Sequence, residues 1–443
     1  MSSLHQDAPS RQWFSRLAES LDRRSAARLA LLFIGVVLAR GRRTVTSWIR
    51  AAKLSDQFRQ CYTTVSATGK KADSVANQLL VDAVLPLVQD APRITLALDD
   101  TPTERYGPHV QGAGTHHNPT PGPAGSLYLY GHVWVVLGLV ATHAKWGAIA
   151  LPLLAKLYIR EKDLPAVHPK HRPTFRTKLE MASELLEWAA QELKQLGKPL
   201  WVVADGAYAK APFLEPAAKQ GFTVVSRLRR DAALHSVPKP RPTGQRGRPR
   251  IYGERSINLA MRAGKSRGWQ TGTFSLYGEE KKKRYKTFLA TWRPAGGLIR
   301  VVLVAEENTW VAFFCTDPDA TVADILGAVA DRFSLEIAFR DCKEIVGAGQ
   351  QQVRHIWANI GSFLMCLWTF TMTEVWAWQR EQEDLVDRSS SPWDVATRRP
   401  SHADKRNAWR RELLQEELTE VLRVGLTEKE IHTTTERLLR LAA

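Results

Sequence analysis

Cysteine is scarce in this chain. Its 443 residues hold four, Cys61, Cys315, Cys342 and Cys366, with no C-x-x-C pair among them. That excludes a disulfide framework and a cysteine-built zinc site, and fits buried thiols in a reducing cytoplasm. His109, His116 and His117 sit in a loop rich in Gly, Pro and His, but their spacing matches no zinc pattern. The opening MSSLHQDAPSRQWF lacks an apolar h-region, so no signal peptide is expected. Long apolar runs are missing too. Residues 29–39 are too few to span a bilayer, and 127–159 is broken by His132, His143, Lys145 and several glycines. No membrane partner is expected. Acids are in deficit: 45 Asp plus Glu stand against 62 Lys plus Arg, a net charge of +17. Such an excess points to a polyanionic partner, above all nucleic acid.

What is present suits a globular protein of two to four domains, 44% hydrophobic and 24% charged. Residues 1–88 read as helical, through SAARLALLFIGVVLARG, TSWIRAAKL (capped by Thr44 or Thr46) and DSVANQLLVDAVLPLV. Basic clusters at Arg23, Arg24, Arg28, Arg40, Arg42, Arg43, Lys70 and Lys71 allow duplex DNA binding. A helical cap on the next domain is the other reading. From residue 89 the pattern turns to strands. ITLALDD alternates as a buried strand, with Asp99 and Asp100 at its end and Thr101-Pro102 stopping it. LYLYGHVWVVLGLVA and WGAIALPLLAKLYI are two more strands. A helix over 174–196 leads to PLWVVADGAYAK, whose strand 201–204 places Asp205 at its tip. FTVVSRLRRD is a further strand, ending in Arg227, Arg229 and Arg230.

Residues 231–296 form a basic, β-rich insertion. SVPKPRPTGQRGRPRIYG is extended, and its Arg246, Arg248 and Arg250 resemble an AT-hook core that lies in the minor groove. Contact with the DNA backbone alone is the alternative. TGTFSLYG and RYKTFLATW read as a hairpin turning at EEKKK. LIRVVLVAEE and WVAFFCTDP form another strand pair within 297–385, followed by a helix and then the apolar GSFLMCLWTFTMTEVWAW. Residues 386–443 are a linker and helix.

The stretch DRFSLEIAFRDCKE, residues 331–344, gathers the rest. Val322, Ile325, Leu326 and Val329 recur at helical spacing before it. Continuing that helix brings Arg332, Glu336 and Lys343 within about 40° of one face. A surface helix with i,i+4 ion pairs would look the same. Asp99 and Asp205 decide between the readings, because each is a carboxylate at the end of a buried strand. Three acids on adjacent elements can hold two divalent metals about 3.5–4 Å apart for in-line phosphoryl displacement. Oxygen ligands favour Mg²⁺.

These residues resemble the DDE transposases of bacterial insertion sequences. Asp99-Asp100-Thr101 matches strand–Asp–x–Thr, and Asp205-Gly206-Ala207-Tyr208 matches strand–Asp–x–x–Tyr. Arg332, Glu336 and Lys343 match the Tyr-Arg-Glu-Lys signature, with Val329 in place of the tyrosine. The resemblance covers roughly 26–411. It implies an α/β fold: a ribonuclease-H-like mixed sheet flanked by helices, with helical N- and C-terminal regions and the core split into 89–230 and 297–385. It implies catalytic and metal-holding roles for Asp99, Asp205 and Glu336, with two Mg²⁺ ions or Mn²⁺ in their place. Arg332, Lys343, Arg229, Arg230, Arg246, Arg248 and Arg250 are the expected DNA contacts. The expected partners are double-stranded DNA, at element ends and target, and a second copy in a homodimer. The expected location is the cytoplasm, at the nucleoid when bound to DNA. Trp269 and Trp292 are candidates to stack on a flipped base. A stand-alone nuclease and a non-catalytic DNA-binding derivative are the alternatives.

Overall fold

The computed structural model describes residues 10–118, 125–240, 247–389, 391, 393–423 and 427–442. Five helices come first: α1 (Ser10–Ala18), α2 (Arg23–Leu38), α3 (Val45–Ala51), α4 (Phe58–Lys70) and α5 (Ala72–Leu79). Asp22 caps α2, and Thr44 caps α3 through the Ser47 amide. The sequence reading names three of these five helices. It passes over α1 and α4, whose FRQCYTTVSATGK is a poor helix former without tertiary support. That support is α10 (Ile356–Ala377). A Cβ on Gly361 would lie 1.9 Å from the Val65 carbonyl oxygen, and one on Gly69 would lie 2.1 Å from that of Trp357. The two backbones therefore touch.

Among the described residues, twelve strands form one mixed sheet, and its first half is ribonuclease-H-like. β1 (Ile94–Glu104) pairs antiparallel with β3 (Tyr128–His143), which pairs with β4 (Gly147–Tyr158) and with the short β2 (Gly114–His117). On its other side β1 runs parallel to β5 (Leu200–Ala204), and β5 runs parallel to β6 (Phe222–Leu228). The sheet then continues antiparallel, away from this half. β12 (Thr309–Cys315) joins β6, β11 (Gly297–Glu306) follows, then β10 (Glu279–Trp292) and the short β7 (Leu234–His235) and β8 (Ser256–Ile257). β9 (Gln270–Leu276) pairs with β10, and α8 (Leu259–Gly264) lies before it.

Helices cover both faces. On one lie α6 (Lys178–Leu193) and α7 (Ala211–Lys219), with Leu185 and Leu186 packed in the same core as Val202 and Val224. On the other lies α9 (Val322–Asp341), whose Ile325, Leu326 and Ala328 pack with Trp201, Val203 and Val225. Alternate residues of β5 serve the two layers, as the strand pleat requires. Capping boxes start both long helices, Thr177 with Glu180 and Thr321 with Asp324.

The outer edge of β4 is closed by α10. Trp368 Nε1 donates to the Leu153 carbonyl at 2.6 Å, and the Thr371 hydroxyl donates to that of Pro152 at 2.7 Å. This helix is long and apolar enough to cross a membrane, yet almost all of it is buried inside the protein. α12 (His402–Arg423) packs on α10, after the short α11 (Gln382–Leu385), and α13 (Glu428–Ala442) ends the described chain.

Two strand readings need correction. β1 does not stop at Thr101-Pro102 but runs on to Glu104, paired with β3 throughout. Only its partner β5 stops, at Ala204, so Pro102 lies where no neighbour asks for its missing N–H. Asp99 is thus inside a strand, at the point where one of its two neighbours ends. The hairpin of the insertion does not turn at EEKKK. Leu276 pairs with Glu279 across the two residues Tyr277 and Gly278, both at positive φ (58° and 78°). That geometry suits the twist of the flanking strands, and the charged run becomes the start of β10.

Candidate active site

The parallel register of β1 and β5 aligns Leu98 with Ala204, so Asp99 and Asp205 leave adjacent strands side by side. Asp205 begins a single turn, Gly206–Tyr208, and its Oδ2 accepts the Ala207 amide at 3.0 Å. The third acid comes from α9, one turn beyond Arg332. The Arg332 guanidinium joins the elements: Nη1 donates to Asp99 Oδ2 at 2.5 Å and Nη2 to Glu336 Oε1 at 2.8 Å. Against burial, which would lower it, Asp99, Glu336 and Asp205 hold the Arg332 pKa above its ordinary value. All three acids therefore act on one cation.

Asp99 is poised differently from an ordinary surface aspartate. Burial pushes its carboxyl up to about 6, against Arg332 and the Asp100 amide, and the Asp100 and Asp205 carboxylates push the same way. Asp100, next along the strand, faces the opposite layer. There Lys178 Nζ, in the first turn of α6, donates to its Oδ2 at 2.6 Å, and the Tyr208 hydroxyl donates to its Oδ1 at 3.2 Å. Burial and the Asp100 and Asp99 carboxylates drive the Tyr208 phenol upward, so it stays a donor. The reading from sequence passed over Lys178. The TKLE capping box marks where α6 begins, but nothing in it announces a contact with Asp100.

The donor set is made of hard carboxylate oxygens, which suits a hard divalent cation. Among the described residues, no three His, Cys, Asp or Glu side chains form a ready metal cage. The guanidinium of Arg332 binds Asp99 and Glu336 together. It engages Asp99 Oδ2 and Glu336 Oε1, and the second oxygen of each carboxylate is not bound by it.

The remaining candidates are spread more widely. Lys343 follows α9 in a wide π turn, Cys342–Val346, so the regular helical face assumed for it ends before it. Burial lowers its pKa, and its nearest charged influences include Glu104 and Glu344. Arg229 is exposed and paired with Asp231 at 2.8 Å. Arg230 donates to the Trp310 carbonyl at 2.9 Å and lies over that indole. Arg248 and Arg250 are exposed, Arg250 in an ion pair with Glu254. Arg246 lies outside the described residues. Trp292 is corrected as a base-stacking candidate. It is 6% exposed and packs edge-on against Phe314, so no base reaches it without unfolding. Trp269 is half-buried between Arg284 and Lys286, at 5.1 and 4.8 Å from its ring centre.

A family model described as DDE superfamily endonuclease matches residues 16–293. The match takes in Asp99 and Asp205 and ends before Glu336. No curated protein matches the chain.

Proposed function

The chain belongs to the DDE superfamily endonucleases, and on that footing we propose that it is the transposase of a bacterial insertion sequence. In this reading it binds the terminal inverted repeats of its element as a homodimer on paired ends. It cleaves DNA strands and joins the freed 3′-OH to target DNA. The observation that carries the proposal is the guanidinium of Arg332, which binds Asp99 of β1 and Glu336 of α9 together, with Asp205 set next to Asp99 by the register of β1 and β5. Acids brought together from elements this far apart in sequence favour the site reading over an isolated i,i+4 ion pair.

Asp99, Asp205 and Glu336 would hold the divalent ions, Mg²⁺ or Mn²⁺ in its place. Bound there, such ions activate a water or 3′-OH and stabilise the leaving oxygen of a phosphodiester. The protein's own part is positional. β1 and β5 fix two carboxylates by their register, and α9 brings the third on a rigid helix. Arg332 keeps Asp99 and Glu336 near each other, limiting the repulsion that three gathered carboxylates would otherwise suffer. Lys178 and Tyr208 hold Asp100 on the far side of the strand, which stiffens β1 where it carries Asp99. Lys343, Arg229, Arg230, Arg246, Arg248 and Arg250 are proposed DNA contacts, serving phosphates rather than chemistry.

Purified protein, a duplex carrying the element's own end, and a supercoiled target plasmid test the reading. The proposal expects Mg²⁺-dependent nicking at the end and covalent joining to the plasmid. Nicking without joining would leave a stand-alone nuclease; binding with neither would leave a DNA-binding derivative.

A further inference from the structure

Five residues beyond Asp99 along the same strand, β1 leads into a cavity of about 390 Å³. Three separate segments line it: Arg42 from the link between α2 and α3, residues 105–110 after β1, and residues 349–354 after α9. Arg42, Arg105, His109 and Arg354 are among its walls, and no Asp or Glu is. The carboxylate beside it, Glu104, accepts the Tyr106 hydroxyl at 3.0 Å.

The cavity floor is built to hold a positive charge. Arg105 is 4% exposed. Its Nε donates to His132 Nδ1 at 3.0 Å, and its Nη1 to the Gly349 and Gln351 carbonyls at 2.6 and 3.1 Å. Its Nη2 is buried and has no partner among the described residues. Every partner it does have is neutral, so its charge is set into the protein without a counter-ion, an arrangement that is costly unless an anion comes to it. Arg42 and Arg354, by contrast, are exposed at the walls. The walls are tied together in advance. The Arg43 amide donates to Gln350 Oε1 at 2.8 Å, and Gln351 Nε2 donates to the Arg43 carbonyl at 2.9 Å. The Gln111 amide donates to the Arg354 carbonyl at 2.9 Å.

We propose that this Arg42–Arg105–Arg354 cavity binds a phosphodiester of the DNA backbone. The inference rests on the DNA-cleaving reading and adds to it a second anchoring point. Five residues of strand span about 16 Å, which is about five nucleotide steps of axial rise in a duplex. A phosphate held there fixes the register of DNA against Asp99. It also links the N-terminal helices, which supply Arg42, to the segment that follows the helix bearing Glu336.

Arg42 and Arg354 are exposed, so replacing both leaves the fold intact. The test measures duplex binding against salt concentration for the whole protein and for the Arg42→Gln/Arg354→Gln variant, both carrying Asp99→Asn to prevent cutting. The variant should lower the log–log slope by about one unit, at about 0.9 for the one phosphate that is no longer neutralised. In parallel, melting temperature is followed against inorganic phosphate at constant ionic strength. An unchanged slope overturns the inference alone. An unchanged slope together with a saturable phosphate effect that disappears in the variant makes the cavity a free-phosphate site. Absence of salt-dependent duplex binding by the unsubstituted cavity overturns the DNA-cleaving reading, and this inference with it.

Discussion

Asp99 and Asp100 are neighbours in sequence and opposites in surroundings. The strand pleat sends Asp99 to Arg332, Asp205 and Glu336, and Asp100 to Lys178 and Tyr208. Asp–x–Thr made Asp99 the better choice from sequence, while the pairing partners could not be read from it. Lys178 lies 78 residues from Asp100, and nothing local announces the contact. The structural difference has a consequence. Asp100→Asn should lower strand cleavage by no more than about tenfold, because an amide keeps hydrogen bonding to Lys178 or Tyr208 and supplies no direct chemistry. Asp99→Asn should abolish it. Single-turnover cleavage rates decide, and equal losses would show that the two acids share the work.

Elements were legible where local pattern and tertiary demand agree. Strands β3 and β4 and the β11–β12 pair were expected, and of the two caps offered for α3, Thr44 is the one used. The end of β1 and the turn at Tyr277-Gly278 did not, for different reasons. A proline looks like a stop unless the neighbouring strand is known to have ended. A charged run looks like a turn unless the two-residue, positive-φ alternative is weighed. The α4–α10 crossing is invisible from sequence, since glycines within helices more often signal weakness than contact. Gly361→Ala should destabilise the protein by about 1–3 kcal/mol, the usual cost of overpacking, or more where backbone must move. A urea midpoint equal to that of the unsubstituted protein would show that the helices can part freely.

The α10–α12 contact carries a second prediction at this scale. Glu374 of α10 is buried, with Lys405 and His402 of α12 as its partners. Burial would raise its carboxyl, but Lys405 and the His402 hydrogen bond hold it down to about 2, from an ordinary 4.5. The folded state thus binds this proton less tightly than the unfolded chain. Ionised Glu374 adds stability that is fully present above about pH 4.5 and is lost as pH falls through about 2. Glu374→Gln strands Lys405 without its counter-charge, so it should cost about 3–5 kcal/mol at pH 7. The variant should also lose less stability than the parent between pH 5 and 3. Parallel acid profiles for the two proteins would contradict the assignment.

At the scale of the whole molecule, the net charge of +17 pointed to a polyanion, and the order of strands and acids pointed to a phosphoryl-transfer core. The family match and the mixed sheet agree with that class. What sequence could not supply was the meeting of parts. The pairing of β6 with β12 and the closure of a basic cavity by three distant segments are products of the fold.

The central claim is that Asp99, Asp205 and Glu336 form one metal-dependent cleaving site. Strand cleavage of an end-bearing duplex in Mg²⁺, measured for Asp99→Ala, Asp205→Ala and Glu336→Ala alongside duplex affinity, tests it most directly. The account predicts loss of cleavage in each, by 10³-fold or more on the order expected for removing a unit that acts together, with duplex binding retained. Cleavage at the parent rate in any one of the three would remove that acid from the site and contradict the account.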